Sequence, residues 1–113
     1  MIIIYHNPRC SKSRETLEIL ETKKANYKVV KYLDLPLSED KLTKIITLLR
    51  IKPIELVRKN ESIWKENFKH LDFTDEELIK VMAKYPKLIE RPIVINGDKA
   101  TIGRPPKKIL DII

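Results

Sequence analysis

The stretch HNPRCSKSR, residues 6–14, holds the chain's only cysteine, Cys10. His6, Arg9, Lys12 and Arg14 all lie within four positions of the sulfur. A lone cysteine is often a buried, inert hydrophobe. A reactive one needs its thiolate, which positive surroundings stabilise. Cys10 has the setting for the second case. The Asn7-Pro8 pair signals a turn, a helical run follows, and the sulfur falls at the helix start. Unpaired N–H groups and the helix dipole favour an anion there. Arg14, four residues on, projects from the same helix face. Together these features lower a thiol pKa from its free value near ~8.5. His6 has two readings. As a cation it stabilises the thiolate, and as a neutral ring it bonds to the loop backbone.

Composition narrows the chemistry further. One cysteine excludes an internal disulfide, a CxxC pair and a cysteine-based zinc cluster within the 113 residues. The two histidines, His6 and His70, are far apart in sequence, so no metal site is expected. The net charge of +7 allows nucleic acid or a small anion as partner. The lysines are interspersed with acids, as in EILETKKANYK, and no basic patch with interleaved aromatics occurs, so nucleic acid is not expected. No apolar run approaches the ~18 residues of a membrane span. The start MIIIYHN has no basic region or cleavage site, and a lone thiol fits a reducing compartment. A cytoplasmic monomer, with no membrane contact and no bound cofactor or metal, is therefore expected.

These residues must be positioned by regular elements. Ile2-Ile3-Ile4-Tyr5 reads as a strand ending at the Asn7-Pro8 turn, and Ser11 to Ala25 as a helix. Tyr27 to Leu33 reads as a second strand, parallel to the first because a helix crosses between them. Ser38 caps a helix whose apolar stripe is Leu42, Ile45, Ile46 and Leu49. Pro53 opens a short helix to about Arg58. ESIWKENFKHL is helical, with Trp64 in the core. TDEELIKVMAKY opens with a Thr74/Glu77 capping box. Strands over Pro92–Ile95 and Lys99–Ile102 flank the hairpin signal NGD. Pro105 and Pro106 start a final helix. The order is βαβ, a helical block, then ββα. That is an α/β thioredoxin-like fold with a mixed central sheet: one domain over 1–113, with a helical insertion at about 38–85. Cys10 then lies beyond the carboxyl end of the first strand, where α/β sheets bind ligands.

The segments YHNPRCSKSR, ELVRKNE, LIERPIVI and IGRPPKKILDII, in that order along essentially the whole chain, resemble the glutaredoxin-coupled arsenate reductases. The resemblance implies a thioredoxin-like fold and reduction of arsenate to arsenite. It implies that Cys10 is the nucleophile, with His6 near it and Arg14 beside the cysteine loop. Arg58, Arg91 and Arg104 correspond to three oxyanion-binding arginines that converge on one anion, and the Arg91–Pro92 bond is expected to be cis. Guanidinium groups suit a tetrahedral oxyanion because they donate paired hydrogen bonds. With no second cysteine, the electrons come from glutathione as co-substrate, and glutaredoxin is the protein partner. Two departures from the family pattern are visible. Gly103 precedes Arg104 where some members carry a cysteine, and Ile113 follows the last predicted helix where those members extend further. The same superfamily contains Spx-type regulators that bind RNA polymerase. Their CxxC switch is absent here, since Ser11, Lys12 and Ser13 follow Cys10. A related thiol oxidoreductase with another substrate is the remaining alternative.

Overall fold

The computed structural model describes all residues, 1–113. Their contacts divide into two compact units, Met1–Leu35 with Arg91–Ile113, and Pro36–Glu90. No helix is long and apolar enough to cross a membrane.

The first unit is built on four short strands, β1 (Ile2–Tyr5), β2 (Tyr27–Val30), β3 (Ile93–Asn96) and β4 (Lys99–Ile102). Their order is β2-β1-β3-β4. β1 runs parallel to β2 and antiparallel to β3, and β3 runs antiparallel to β4. This is the mixed sheet of the thioredoxin-like fold. Alternation along the strands places Ile2 and Ile4 on one face. There they join Val94, with Leu20 of helix α1 (Ser11–Thr22) and Ile109, in one buried cluster. Leu17, Ile19, Val29 and Ile112 pack around it.

Several element ends differ from expectation, and three of them have a clear local reason. α1 stops at Thr22 rather than Ala25 because Lys24 turns into the left-handed region at φ 53°. The Ala25 N–H then reaches the Leu20 carbonyl at 3.1 Å, and the Lys24 N–H reaches that of Glu21 at 3.0 Å. This is a Schellman closure with lysine in the usual glycine place. β2 ends at Val30 because β1 offers only four residues to pair with. Beyond it, the Asp34 and Leu35 N–H groups close a turn on the Lys31 carbonyl at 3.1 Å each. The final helix is a six-residue 3-10 turn, Pro106–Asp111. Its proline start removes a donor, and tight i→i+3 bonding serves so short a run. The hairpin forms as the NGD signal predicts, with Gly97 at φ 63° and Asn96 paired with Lys99.

The second unit contains α2 (Glu39–Leu49), α3 (Ser62–Asn67) and α4 (Asp75–Lys84). Ser38 Oγ accepts from the Lys41 N–H at 3.1 Å, the cap that the sequence predicts for α2. Both bonds of the Thr74/Glu77 box form, at 2.9 and 3.2 Å. Leu42, Ile45, Leu78 and Met82 are buried. α3 is shorter than expected and carries buried Trp64 into a cluster with Phe68 and Phe73. The Pro53 segment is a 3-10 turn ending at Leu56. Val57 leaves it to make an isolated antiparallel bridge with Ile89, and the Arg58 N–H donates to the Leu88 carbonyl at 2.7 Å.

Candidate active site

The cysteine loop is closed by its own backbone and by one asparagine. The Cys10 N–H donates to the Asn7 carbonyl at 3.0 Å, and Asn7 Oδ1 accepts from the Arg9 N–H at 3.0 Å. Asn7 is buried, so the turn that the Asn-Pro signal predicts is fixed from inside. Cys10 itself caps α1 in an extended conformation, half-buried and free of any disulfide. The first helical bond follows directly, from the Arg14 N–H to the Cys10 carbonyl at 3.0 Å.

The sulfur meets four groups. Backbone N–H groups of Ser13 and Lys12 in the first turn of α1 favour its thiolate, although neither closes a capping bond to the side chain. The Arg91 side chain donates to it, and Arg104 Nη2 lies 3.5 Å from Sγ. Burial pushes the thiol up, but these two N–H groups and two arginines outweigh it and hold the thiol below its ordinary value. Arg104 is itself aimed, since its Nε donates to the Arg91 carbonyl at 2.7 Å. The Gly103 N–H donates to the Pro92 carbonyl at 2.9 Å, fixing the segment that carries Arg104. The Arg91–Pro92 bond is cis, as the resemblance implies, and the Arg104–Pro105 bond is cis as well.

His6 and Arg14 have different places from the ones their charges suggest. His6 is buried with Nδ1 2.6 Å from Ser13 Oγ. Burial first, then the Lys31 and Arg14 charges, hold the imidazole below its ordinary value. Of its two readings the neutral ring fits, and it is bonded to a side chain rather than to the loop backbone. Arg14 Nη1 donates to the Pro8 carbonyl at 3.1 Å and braces the loop. The arginines that act on the sulfur are the two remote in sequence. Arg58 belongs to the second unit, where Glu61 lies 3.4 Å from its Nε and Glu90 4.0 Å from its Nη1.

Ser13 and Gly103 are the residues that sequence reasoning undervalued. A Cβ at position 103 would lie 2.7 Å from Thr16 Oγ1 and 2.8 Å from Pro92 Cγ, so only glycine fits without displacement. A glycine one residue before a motif arginine was the available signal. Ser13 is completely buried, and nothing in its spacing announces that. No cluster of three or more His, Cys, Asp or Glu side chains is placed to hold a metal ion.

The chain is similar to known proteins along its whole length. The pattern described as the ArsC family matches residues 5–112. An arsenate reductase of Haemophilus influenzae is 46% identical over 99% of this chain and 98% of its own length. An uncharacterized protein of Escherichia coli, YfgD, is 45% identical over 97% of this chain and 94% of its own. The solved structure of an arsenate reductase from Vibrio cholerae superposes with a TM-score of 0.94 at 41% identity, covering 99% of this chain and 97% of that one. Matching in sequence from end to end and in the course of its backbone, the chain belongs to the ArsC family.

Proposed function

We propose that the protein reduces arsenate to arsenite through Cys10, with glutathione as the electron source and glutaredoxin as the recycling partner. The observation that carries this reading is the sulfur itself. It is depressed in pKa and sits within 3.5 Å of a guanidinium aimed at it by the Arg91 carbonyl. A cation pair beside a nucleophilic thiolate suits an oxyanion that must be attacked despite its negative charge.

The Cys10 thiolate attacks arsenic, a sulfur–arsenic(V) bond forms and one oxygen leaves as water. A glutathione thiolate then attacks the Cys10 sulfur. A disulfide forms, the sulfur–arsenic bond breaks, and its electron pair passes to arsenic, which leaves as arsenite. Glutaredoxin's thiolate attacks the glutathione sulfur of that disulfide, freeing the Cys10 thiolate, and a second glutathione regenerates glutaredoxin. Two thiols are oxidised to one disulfide for each arsenic reduced by two electrons. Arg91 and Arg104 neutralise the oxyanion as it approaches, and in the family pattern Arg58 supplies a third guanidinium. His6 and Arg14 hold the loop.

The test is arsenate reduction by wild type and Cys10→Ser with glutathione and glutaredoxin supplied. Turnover by the wild type and none by the variant supports the reading, because a serine hydroxyl is a far poorer nucleophile at neutral pH. An inactive wild type whose Cys10 still alkylates readily would assign the thiol to another substrate.

A further inference from the structure

Beneath the cysteine loop lies a buried polar cluster. His6, Asn7, Ser13 and Thr16 are all nearly or completely buried. Ser13 is its centre. Its Oγ accepts from the Asn7 N–H at 3.0 Å and lies 2.6 Å from His6 Nδ1. Its own backbone N–H lies in the first turn of the helix that Cys10 caps and is one of the groups that favour the thiolate.

We propose that Ser13 is a positioning residue for Cys10, its hydroxyl tying His6 and the Asn7 backbone to the first turn of α1 so that the turn's N–H groups stay aimed at the sulfur. A buried hydroxyl has one proton to place. The Asn7 N–H takes one lone pair of the oxygen, and His6 Nδ1 is the acceptor in reach of the buried hydroxyl proton, so that proton is assigned to Nδ1. That fixes the imidazole with its own proton on Nε2. The Lys31 and Arg14 charges that face His6 oppose a second proton. His6 is in turn anchored to the sheet, its backbone N–H donating to the Val30 carbonyl at 2.9 Å. One oxygen therefore joins the end of β1, the turn after it and the helix that follows.

Removing that oxygen leaves two buried polar atoms without their partner, Asn7 N and His6 Nδ1. The first turn is then tied to the loop by the Cys10–Asn7 backbone bond and the exposed Arg14–Pro8 bond only. Interactions of N–H groups with an acceptor weaken steeply with misalignment, so a small rotation of the turn weakens the hold of the Ser13 and Lys12 N–H groups on the thiolate. Arg91 and Arg104 approach the sulfur from the other end of the chain and keep their contacts.

This inference rests on Cys10 acting as a thiolate, and its test uses no arsenate. Iodoacetamide alkylation of the only thiol, followed against pH, reads the thiol midpoint. Ser13→Ala raises that midpoint by about one pH unit, which is tenfold slower alkylation at pH values below both midpoints. Ser13→Thr, which keeps the oxygen, restores the lower midpoint. Nitrogen NMR of wild-type His6 reports a protonated Nε2 and a bare Nδ1, and this readout needs no variant. A Ser13→Ala midpoint equal to wild type, or a wild-type His6 protonated at Nδ1, overturns the proposal. If the midpoint shifts as expected while arsenate is not reduced, the functional reading falls and the role of Ser13 stands.

Discussion

Arg104 does two things with one planar group. Nη2 faces Cys10 Sγ at 3.5 Å while Nε holds the Arg91 carbonyl at 2.7 Å. A lysine offers a point charge and no fork, so it cannot make both contacts in one orientation. Arg104→Lys is therefore expected to raise the Cys10 alkylation midpoint and to lower kcat/KM for the oxyanion by about tenfold, the loss of one charge-assisted bond of about 1.5 kcal/mol. Arg58 gives a contrasting expectation. Its partners here are Glu61 and Glu90, so Arg58→Ala should leave the alkylation midpoint where it is. A midpoint that moves with Arg58 would place that guanidinium at the sulfur itself. The thiol's depression also has a direct reading against pH. In the folded protein Cys10 is held below its ordinary value, so alkylation persists at pH values where a free thiol near ~8.5 is mostly protonated. In urea the midpoint should rise to that free value, because every donor to the sulfur is supplied by the fold.

At the scale of elements, the segments on either side of the sulfur are held by close packing. Gly103 has no room for a side chain. Thr16 Oγ1 at 2.7 Å is tied to the Lys12 carbonyl at 2.8 Å, and Pro92 Cγ at 2.8 Å belongs to a ring. Gly103→Ala should therefore cost about 1–3 kcal/mol by urea unfolding, since neither neighbour yields easily. It should also slow reduction, because Arg104 is the next residue. A stability equal to wild type would show that the segment relaxes freely. The C-terminus of α1 gives the opposite sign. Lys24 sits at φ 53°, where a side chain costs about 1–2 kcal/mol and glycine costs nothing sterically. Glycine loses more backbone freedom on folding, so Lys24→Gly should gain about 0.5–1 kcal/mol, read as a higher urea midpoint with an unchanged slope.

For the whole molecule, the count of sulfurs sets the expected kinetics. Under the proposed function, one cysteine would take arsenate only as far as an adduct. The protein alone should show no multiple turnover, glutathione alone slow turnover, and glutathione with glutaredoxin sustained turnover. Sustained turnover with a dithiol but not with glutaredoxin would point to a different recycling partner.

The sequence by itself determined the order of the elements and the family. Periodicity placed β1, α2, α4 and the NGD hairpin because those signals are local: an apolar stripe, a cap, a glycine at a turn. The cysteine's setting was legible for the same reason, since the Asn-Pro turn and the helix start lie within a few residues of it. Element ends were less legible. The stop of α1 depends on Lys24 accepting a left-handed conformation, and the length of β2 depends on how many residues β1 offers. The tertiary structure decided which cations serve the sulfur. Nearness in sequence pointed to His6, Arg9, Lys12 and Arg14, yet Arg14 bonds the Pro8 carbonyl and His6 bonds Ser13. Arg91 and Arg104, more than eighty residues away, reach the sulfur instead, because β3 pairs with β1 and β4 pairs with β3. Side-chain proximity across a sheet follows from strand order, which spacing along one chain does not encode.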